Sequence, residues 1–260
     1  MKTRFFTASA AILVLVYRNN VLDFLHEIED TFLPLDPINY DFLFDLEETE
    51  SGLIPKGTNS EYSNCSRRPL VGNETLAKGW SKVVYALDTS AVVKFPNLEG
   101  RTYHNCFHAN FGKEDWEIRC RLQLLRGFVN EIKMLLRLQN DPNVVKIISF
   151  CIPNHPLENL ENVNIVTERG TPLDVLHLLQ LDSMQRVHLF QELLRFFADN
   201  PALRLHDFRR QQIVMVGGQP KIVDFDEAYV GVTDTYSEKY FVEVKNKLAS
   251  DLLIQPQDSA

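Results

Sequence analysis

Two short apolar runs, each with a carboxylate just outside it, constrain this chain more than any other stretch. Leu205-His206-Asp207-Phe208-Arg209-Arg210-Gln211-Gln212 leads into Ile213-Val214-Met215, and Lys221-Ile222-Val223 leads into Asp224-Phe225-Asp226. Gly217 and Gly218 lie between the runs, a pattern that predicts a tight β-hairpin. A hairpin brings the residue before its first strand and the residue after its second to one end, which groups Asp207 with Asp224. Phosphoryl transfer uses that grouping. One carboxylate orients the attacking hydroxyl and accepts its proton, and the other holds Mg²⁺ against nucleotide phosphates. The side-chain amide of Gln212 is placed to offer the metal another oxygen. An ordinary hairpin with acidic ends carries the same pattern, so the rest of the chain must decide.

The chain has 260 residues, 45% of them hydrophobic, enough for one sizeable core or for a smaller domain with a stem. A net charge of −8 and a pI near 5.4 argue against nucleic acid as a partner and against general attraction to anionic membrane surfaces. The amino terminus is basic through Arg4. Residues 5–17 are almost wholly apolar, and Arg18 closes the run. This is the form of a secretory signal, shorter than the roughly 20 residues of a comfortable membrane span. No clear small-x-small cleavage site follows, so residues 1–18 read as a signal peptide or an uncleaved signal-anchor, with a buried helix as the alternative. Asn64-Cys65-Ser66 and Asn73-Glu74-Thr75 are glycosylation sequons. Cys65, Cys106, Cys120 and Cys151 are even in number and contain no Cys-x-x-Cys pair, which with a secretory start favours disulfides over zinc.

Residues 19–50 are acidic with scattered aromatics, and residues 51–69 are rich in Gly, Pro, Ser and Asn, so 19–69 reads as stem and linker, with a short helix near residues 21–28. Folded structure is expected from about Leu70. Residues 76–87 read as two strands turning at Gly79, and 91–95 as a third. Residues 100–116 read as irregular. Leu125, Phe128, Val129, Ile132, Leu135 and Leu136 recur at helical spacing and predict a long helix over 117–138. Residues 144–151 and 163–167 read as strands. Thr171 and Pro172 read as the cap and first position of a helix, and a second helix is expected over 183–199.

Lys94 lies inside an apolar strand, where an unpaired ammonium is costly, and Glu131 lies beside the apolar face of the long helix. If the helix packs on the sheet, the two can pair and the lysine can also grip phosphates. Taken singly, Lys94 is equally an edge-strand lysine and Glu131 a solvated helix residue. The joint order Lys94, Glu131, Asp207, Gln212, Asp224 is much harder to reach by chance.

With that order in view, the chain resembles a protein kinase, and more closely the secretory-pathway kinases of the vertebrate lonesome kinase type. The resemblance rests on residues 78–85, Val93-Lys94, Asn130-Glu131-Ile132, Asp141-Pro142-Asn143-Val144, Thr167-Glu168-Arg169-Gly170, Leu205-His206-Asp207-Phe208-Arg209, Gln212 and Asp224-Phe225-Asp226. It implies an α+β kinase-like fold: a small β-rich N-lobe with one long helix, then a helical C-lobe. It implies ATP and Mg²⁺ as cofactors and a protein substrate in the secretory pathway or extracellular space. The expected compartment is the Golgi lumen or the exterior, with a type II membrane tether through residues 5–17 compatible. Lys94 would hold the α and β phosphates with Glu131 as partner. Asp207 would be the catalytic base, Asp224 and Gln212 the metal ligands, and Thr167 and Glu168 the adenine-binding hinge. A disulfide between Cys106 and Cys120 also follows from the resemblance.

Several positions depart from the general kinase pattern. Gly79 is the one glycine kept in the phosphate loop. Ala77 and Lys82 stand where glycines are usual, although Lys82 can still neutralise phosphate. Asp226 replaces the glycine after Asp224-Phe225, Gln212 is longer than the usual Asn, and His206 replaces an arginine that reads a phosphorylated loop. After Asp226 one helical stretch is legible, over residues 238–253, so within 70–260 the C-lobe is expected to be truncated. Two functions compete. One is a kinase transferring the γ-phosphate of ATP to a hydroxyl side chain, with tyrosine suggested by the resemblance. The other is an inactive pseudokinase acting as a binding or scaffold module. A membrane-tethered ligand protein is the third class, supported by the acidic stem alone.

Overall fold

The computed structural model describes residues 40–66, 68–71, 74–206, 208–231 and 235–254. In chain order the strands and helices are β1 (Leu46–Thr49), β2 (Gly52–Pro55), β3 (Thr75–Lys78), β4 (Lys82–Ala86), β5 (Ala91–Pro96), α1 (Arg101–Ala109), α2 (Trp116–Arg137), β6 (Ile147–Cys151), β7 (Asn164–Glu168), β8 (Thr171–Pro172), α3 (Val175–Gln180), α4 (Ser183–Asp199), β9 (Leu203–Leu205), β10 (Ile213–Val216), β11 (Gln219–Ile222), β12 (Ala228–Val230) and α5 (Thr235–Asp251). A sheet-rich first half is followed by a helix-rich second half, a mixed α/β layout compatible with a kinase-like fold.

The main sheet is antiparallel, in the order β3-β4-β5-β7-β6. Its central strand β5 is buried along its whole length, Lys94 included. Such a strand needs cover on both faces, which its apolar run Ala91-Val92-Val93 and Phe95 tolerates. The long helix α2 lies against the sheet. Leu125, Phe128, Val129, Ile132 and Leu135 form the buried stripe that the 3–4 spacing predicts. The helix begins and ends within one residue of expectation, and α4 occupies 183–199 as expected. The hairpin β10–β11 forms with Ile213 opposite Ile222, and Gly217 and Gly218 adopt φ of 58° and 85° at its turn. Two positive φ values in a two-residue loop explain why glycines stand there.

Three expectations are corrected. First, folding begins well before Leu70. A 3-10 turn at Asp41–Asp45 leads into the β1–β2 hairpin, and Leu46 and Ile54 enter the same core as α2. Leu53 N–H donates to the Ile152 carbonyl at 2.7 Å, and a Cys65–Cys151 disulfide fastens the segment to β6. The apolar residues Leu46, Leu53 and Ile54 are few and set among acids and turn formers, so composition alone reads as stem. The helix expected near 21–28 and the apolar run at 5–17 lie outside the described residues. Among the described residues no helix is long and apolar enough to cross a membrane.

Second, residues 101–109 are helical (α1), not irregular. The helix is pinned to α2 by the expected Cys106–Cys120 disulfide and by Tyr103 and Phe107 meeting Trp116 edge-on. Tertiary cover overrides a weak local signal here. Third, Thr171 and Pro172 do not start a helix. They pair with Met215 and Val214 as β8, and Asp174 caps α3 by accepting from His177 N–H at 2.7 Å. Gly170 permits that pairing: a Cβ there would stand 2.5 Å from Val214 Cγ2.

Candidate functional site

The hairpin end, the β3–β4 turn, β5 and the segment 167–170 enclose a cavity of about 1290 Å³. Gly79, Lys82, Lys94, Thr167, Glu168, Gln212 and Asp224 all line it. Glu131 is fully buried behind it.

Lys94 reaches across from the sheet to the helix. Its Nζ lies 2.5 Å from Glu131 Oε1 and also donates to the Val223 carbonyl, one residue before Asp224. The solvent-facing alternatives for both residues are therefore excluded. A pair this deep stands only because each charge has a partner and further polar contacts.

The sequence offers Lys82 as a residue that can neutralise phosphate. It is buried, with 8% of its side chain exposed, and its Nζ meets three carboxylates. Asp224 Oδ1 is at 2.5 Å, Glu131 Oε2 at 2.6 Å and Asp226 Oδ2 at 2.9 Å. The contact with Glu131 Oε2 is an ion pair in distance without the alignment of a hydrogen bond. Burial pulls the Lys82 ammonium toward neutrality, but Asp224, Glu131 and Asp226 outweigh it and raise its pKa well above the usual lysine value. For Asp224, burial favours the protonated form, while the Lys82 and Lys94 ammonium groups hold the carboxyl down at about 2. Three carboxylates thus meet two lysine side chains in one cluster.

Asp226 belongs to this cluster, although in the sequence it stands out only as the residue in place of a glycine. Ser81 Oγ donates to its Oδ2 at 3.0 Å. Its Cβ lies 3.4 Å from where a Cβ on Gly127 would stand, so α2 approaches this segment closely. A glycine inside a strong helix is a poor helix former and was the available signal for such an approach. Asn130, the residue before Glu131, points its Nδ2 at the carbonyls of Phe225, Asp226 and Ala228, at 3.1, 3.0 and 2.7 Å. It fixes the Asp224–Asp226 segment to the same helix that carries Glu131.

The remaining expected residues divide by what they touch. Gly79 forms the β3–β4 turn: its N–H donates to the Lys82 carbonyl at 2.8 Å, and its own carbonyl accepts from Asn97 Nδ2 at 2.7 Å. Thr167 is buried in β7 against the cavity. The Glu168 carboxylate faces away from a ligand role, pairing with Lys221 Nζ at 2.6 Å and accepting from Lys146 N–H at 2.8 Å. It ties segment 167–170 to the hairpin. The Gln212 carbonyl accepts from Val223 N–H at 3.0 Å, which brings Gln212 beside Asp224. Its side-chain Oε1 accepts from Arg209 N–H at 2.9 Å. Asp207 lies outside the described residues. Its flanks are fixed: Leu205 N–H donates to the Tyr240 hydroxyl at 2.8 Å, and Phe208 packs edge-on against Phe197.

Among the described residues no three His, Cys, Asp or Glu side chains form a ready metal cluster. Asp224 and Asp226 nevertheless converge on one cation, the Lys82 ammonium. Hard carboxylate oxygens converging on positive charge are the donor set that Mg²⁺ takes, so the residues present fit that ion. Of the sequons, Asn64 is exposed and its Oδ1 accepts from Ser66 N–H at 3.2 Å, while Asn73 lies outside the described residues.

No family model matches the chain. Among curated proteins it is similar to the extracellular tyrosine-protein kinase PKDCC of Homo sapiens, 27% identical over 176 residues. The match covers 64% of this chain and 34% of that protein, so the chain spans about a third of the length of the relative it matches. That similarity supports a kinase-like protein, and the relative's extracellular setting agrees with the two disulfides Cys65–Cys151 and Cys106–Cys120.

Proposed function

We propose that this chain is an ATP-dependent protein kinase of the secretory pathway that transfers the γ-phosphate to a hydroxyl side chain, tyrosine by analogy with the relative. The observation that carries the reading is the buried Lys94–Glu131 pair set one hydrogen bond from the Asp224 segment, with Lys94 lining a cavity large enough to admit a nucleotide. Thr167 and the backbone around Glu168 border the adenine end, and Gly79 lets the β3–β4 turn approach the phosphates. Lys94, oriented by Glu131, binds phosphate oxygens. Asp224, with Asp226 and Gln212 beside it, would hold Mg²⁺, which when bound neutralises the polyphosphate. Asp207 orients the acceptor hydroxyl and takes its proton as the new O–P bond forms and the bond to the ADP oxygen breaks.

A test follows from the division of labour. Protein made in secretory cells, incubated with γ-labelled ATP and a tyrosine-containing acceptor, should transfer label. Asp207→Asn should still bind ATP but transfer roughly 10²-fold less or lower. Equal transfer by wild type and Asp207→Asn would remove Asp207 from the chemistry. One observation favours the alternative, a pseudokinase: Lys82 fills the space between the carboxylates that a metal would use. Under that reading ATP binds and no label moves to any hydroxyl.

A further inference from the structure

Lys82 stands where the cluster's cation should be. Its ammonium touches one oxygen each of Asp224, Asp226 and Glu131, within 2.5 to 2.9 Å. Lys94, by contrast, touches Glu131 and the Val223 carbonyl. The two lysines therefore divide the contacts of the cluster: Lys94 secures Glu131 and acts on Asp224 from a distance, while Lys82 touches both Asp224 and Asp226. Ser81, its neighbour in the β3–β4 turn, holds Asp226 from the same side. An ammonium on a four-carbon stem is a movable point charge, and its anchor is the turn that Gly79 makes.

Resting on the kinase reading, we propose that Lys82 is a built-in counter-ion for the Asp224–Asp226 carboxylates, and that it gives up this place only to a divalent cation arriving with nucleotide phosphate. A free divalent ion must compete with a covalently tethered ammonium and, by displacing it from Asp224 and Asp226, leaves that buried ammonium only Glu131, which Lys94 already holds. A metal–polyphosphate complex supplies both a cation for the carboxylates and an anion for Lys82. The site accordingly selects metal-bound nucleotide over metal alone, and metal and nucleotide bind as a unit.

The probe is Mn²⁺ alone, titrated into the nucleotide-free 260-residue protein and followed by the EPR signal of the free ion. Lys82→Met should bind Mn²⁺ about tenfold or more tighter than wild type, a factor that measures the lost competition, and Lys82→Arg should bind as weakly as wild type. Equal Mn²⁺ affinity in wild type and Lys82→Met overturns the proposal. If Lys82→Met does not fold, wild type decides: uptake of Mn²⁺ tighter than about 0.1 mM, abolished in Asp224→Asn, overturns it, and uptake weaker than that supports it. Binding of Mn²⁺–ATP by wild type is measured alongside. If wild type binds Mn²⁺–ATP but the Lys82→Met affinity for Mn²⁺ is unchanged, the counter-ion proposal fails and the kinase reading stands. If Lys82→Met gains Mn²⁺ affinity but wild type binds no Mn²⁺–ATP, the counter-ion stands and the kinase reading fails.

Discussion

Asp224 and Lys82 set each other's protonation, and the consequence is measurable as stability. The folded carboxyl titrates near 2, below the ordinary 3.8, because the lysines outweigh burial. A depressed carboxylate pKa stabilises the fold fully above the unfolded value and loses that contribution as pH falls through the folded value. The contribution, on the order of 2 kcal/mol before discount for the partly open Asp224 side chain, should therefore fade between about pH 4 and pH 2. Asp224→Asn should be less stable than wild type at pH 6, by urea melts, with the gap closing below pH 3. A gap that stays constant over that range would mean the ion pair does not form in solution. The raised pKa of Lys82 acts in the opposite sense, since its stabilisation is complete below the unfolded lysine value and is lost only in strong alkali. Lys94 and Glu131 were legible as a pair because an apolar strand cannot hold an unpartnered ammonium. Lys82 and Asp226 were not, since their meeting depends on how the β3–β4 turn folds over the Asp224 segment, where Lys82 meets Asp224 and Ser81 meets Asp226 across 142 and 145 positions of sequence.

The elements were legible in proportion to how local their signals are. The long helix α2, the helix α4 and the Gly217–Gly218 hairpin follow from spacing and turn chemistry within a dozen residues. The β1–β2 hairpin and α1 do not, because each is held by distant partners: Ile152 and Cys151 for the first, α2 for the second. β8 formed in place of a helix start because Gly170 admits Val214, which a cap motif cannot reveal. The disulfides state this dependence in energetic terms. Cys65 and Cys151 are 86 residues apart and Cys106 and Cys120 only 14. The chain-entropy estimate assigns about 4–5 kcal/mol to a loop of the first size and about 3 kcal/mol to the second. The Cys65→Ser/Cys151→Ser variant should then melt lower than Cys106→Ser/Cys120→Ser in calorimetry. The reverse order would mean that the β1–β2 segment holds its place without the bridge.

At the scale of the whole molecule, the helix α2 organises the site. It carries Glu131 to Lys94 and Lys82, fastens the Asp224–Asp226 segment through Asn130, and receives the β1–β2 hairpin on the same core. Sheet, helix and carboxylate hairpin thus meet around a single cavity, and the chain's similarity to an extracellular kinase agrees with that convergence. Under the proposed function this cavity binds ATP through Lys94 in a metal-dependent way. Calorimetric titration of ATP into wild type and Lys94→Met, each with and without Mg²⁺, tests it most directly. A charge-assisted contact of about 1.5–3 kcal/mol corresponds to roughly tenfold to 150-fold in affinity. Wild type should bind ATP saturably and only with Mg²⁺, and Lys94→Met should bind more weakly by that factor; no binding by wild type, or equal binding by the two proteins, would overturn the kinase reading.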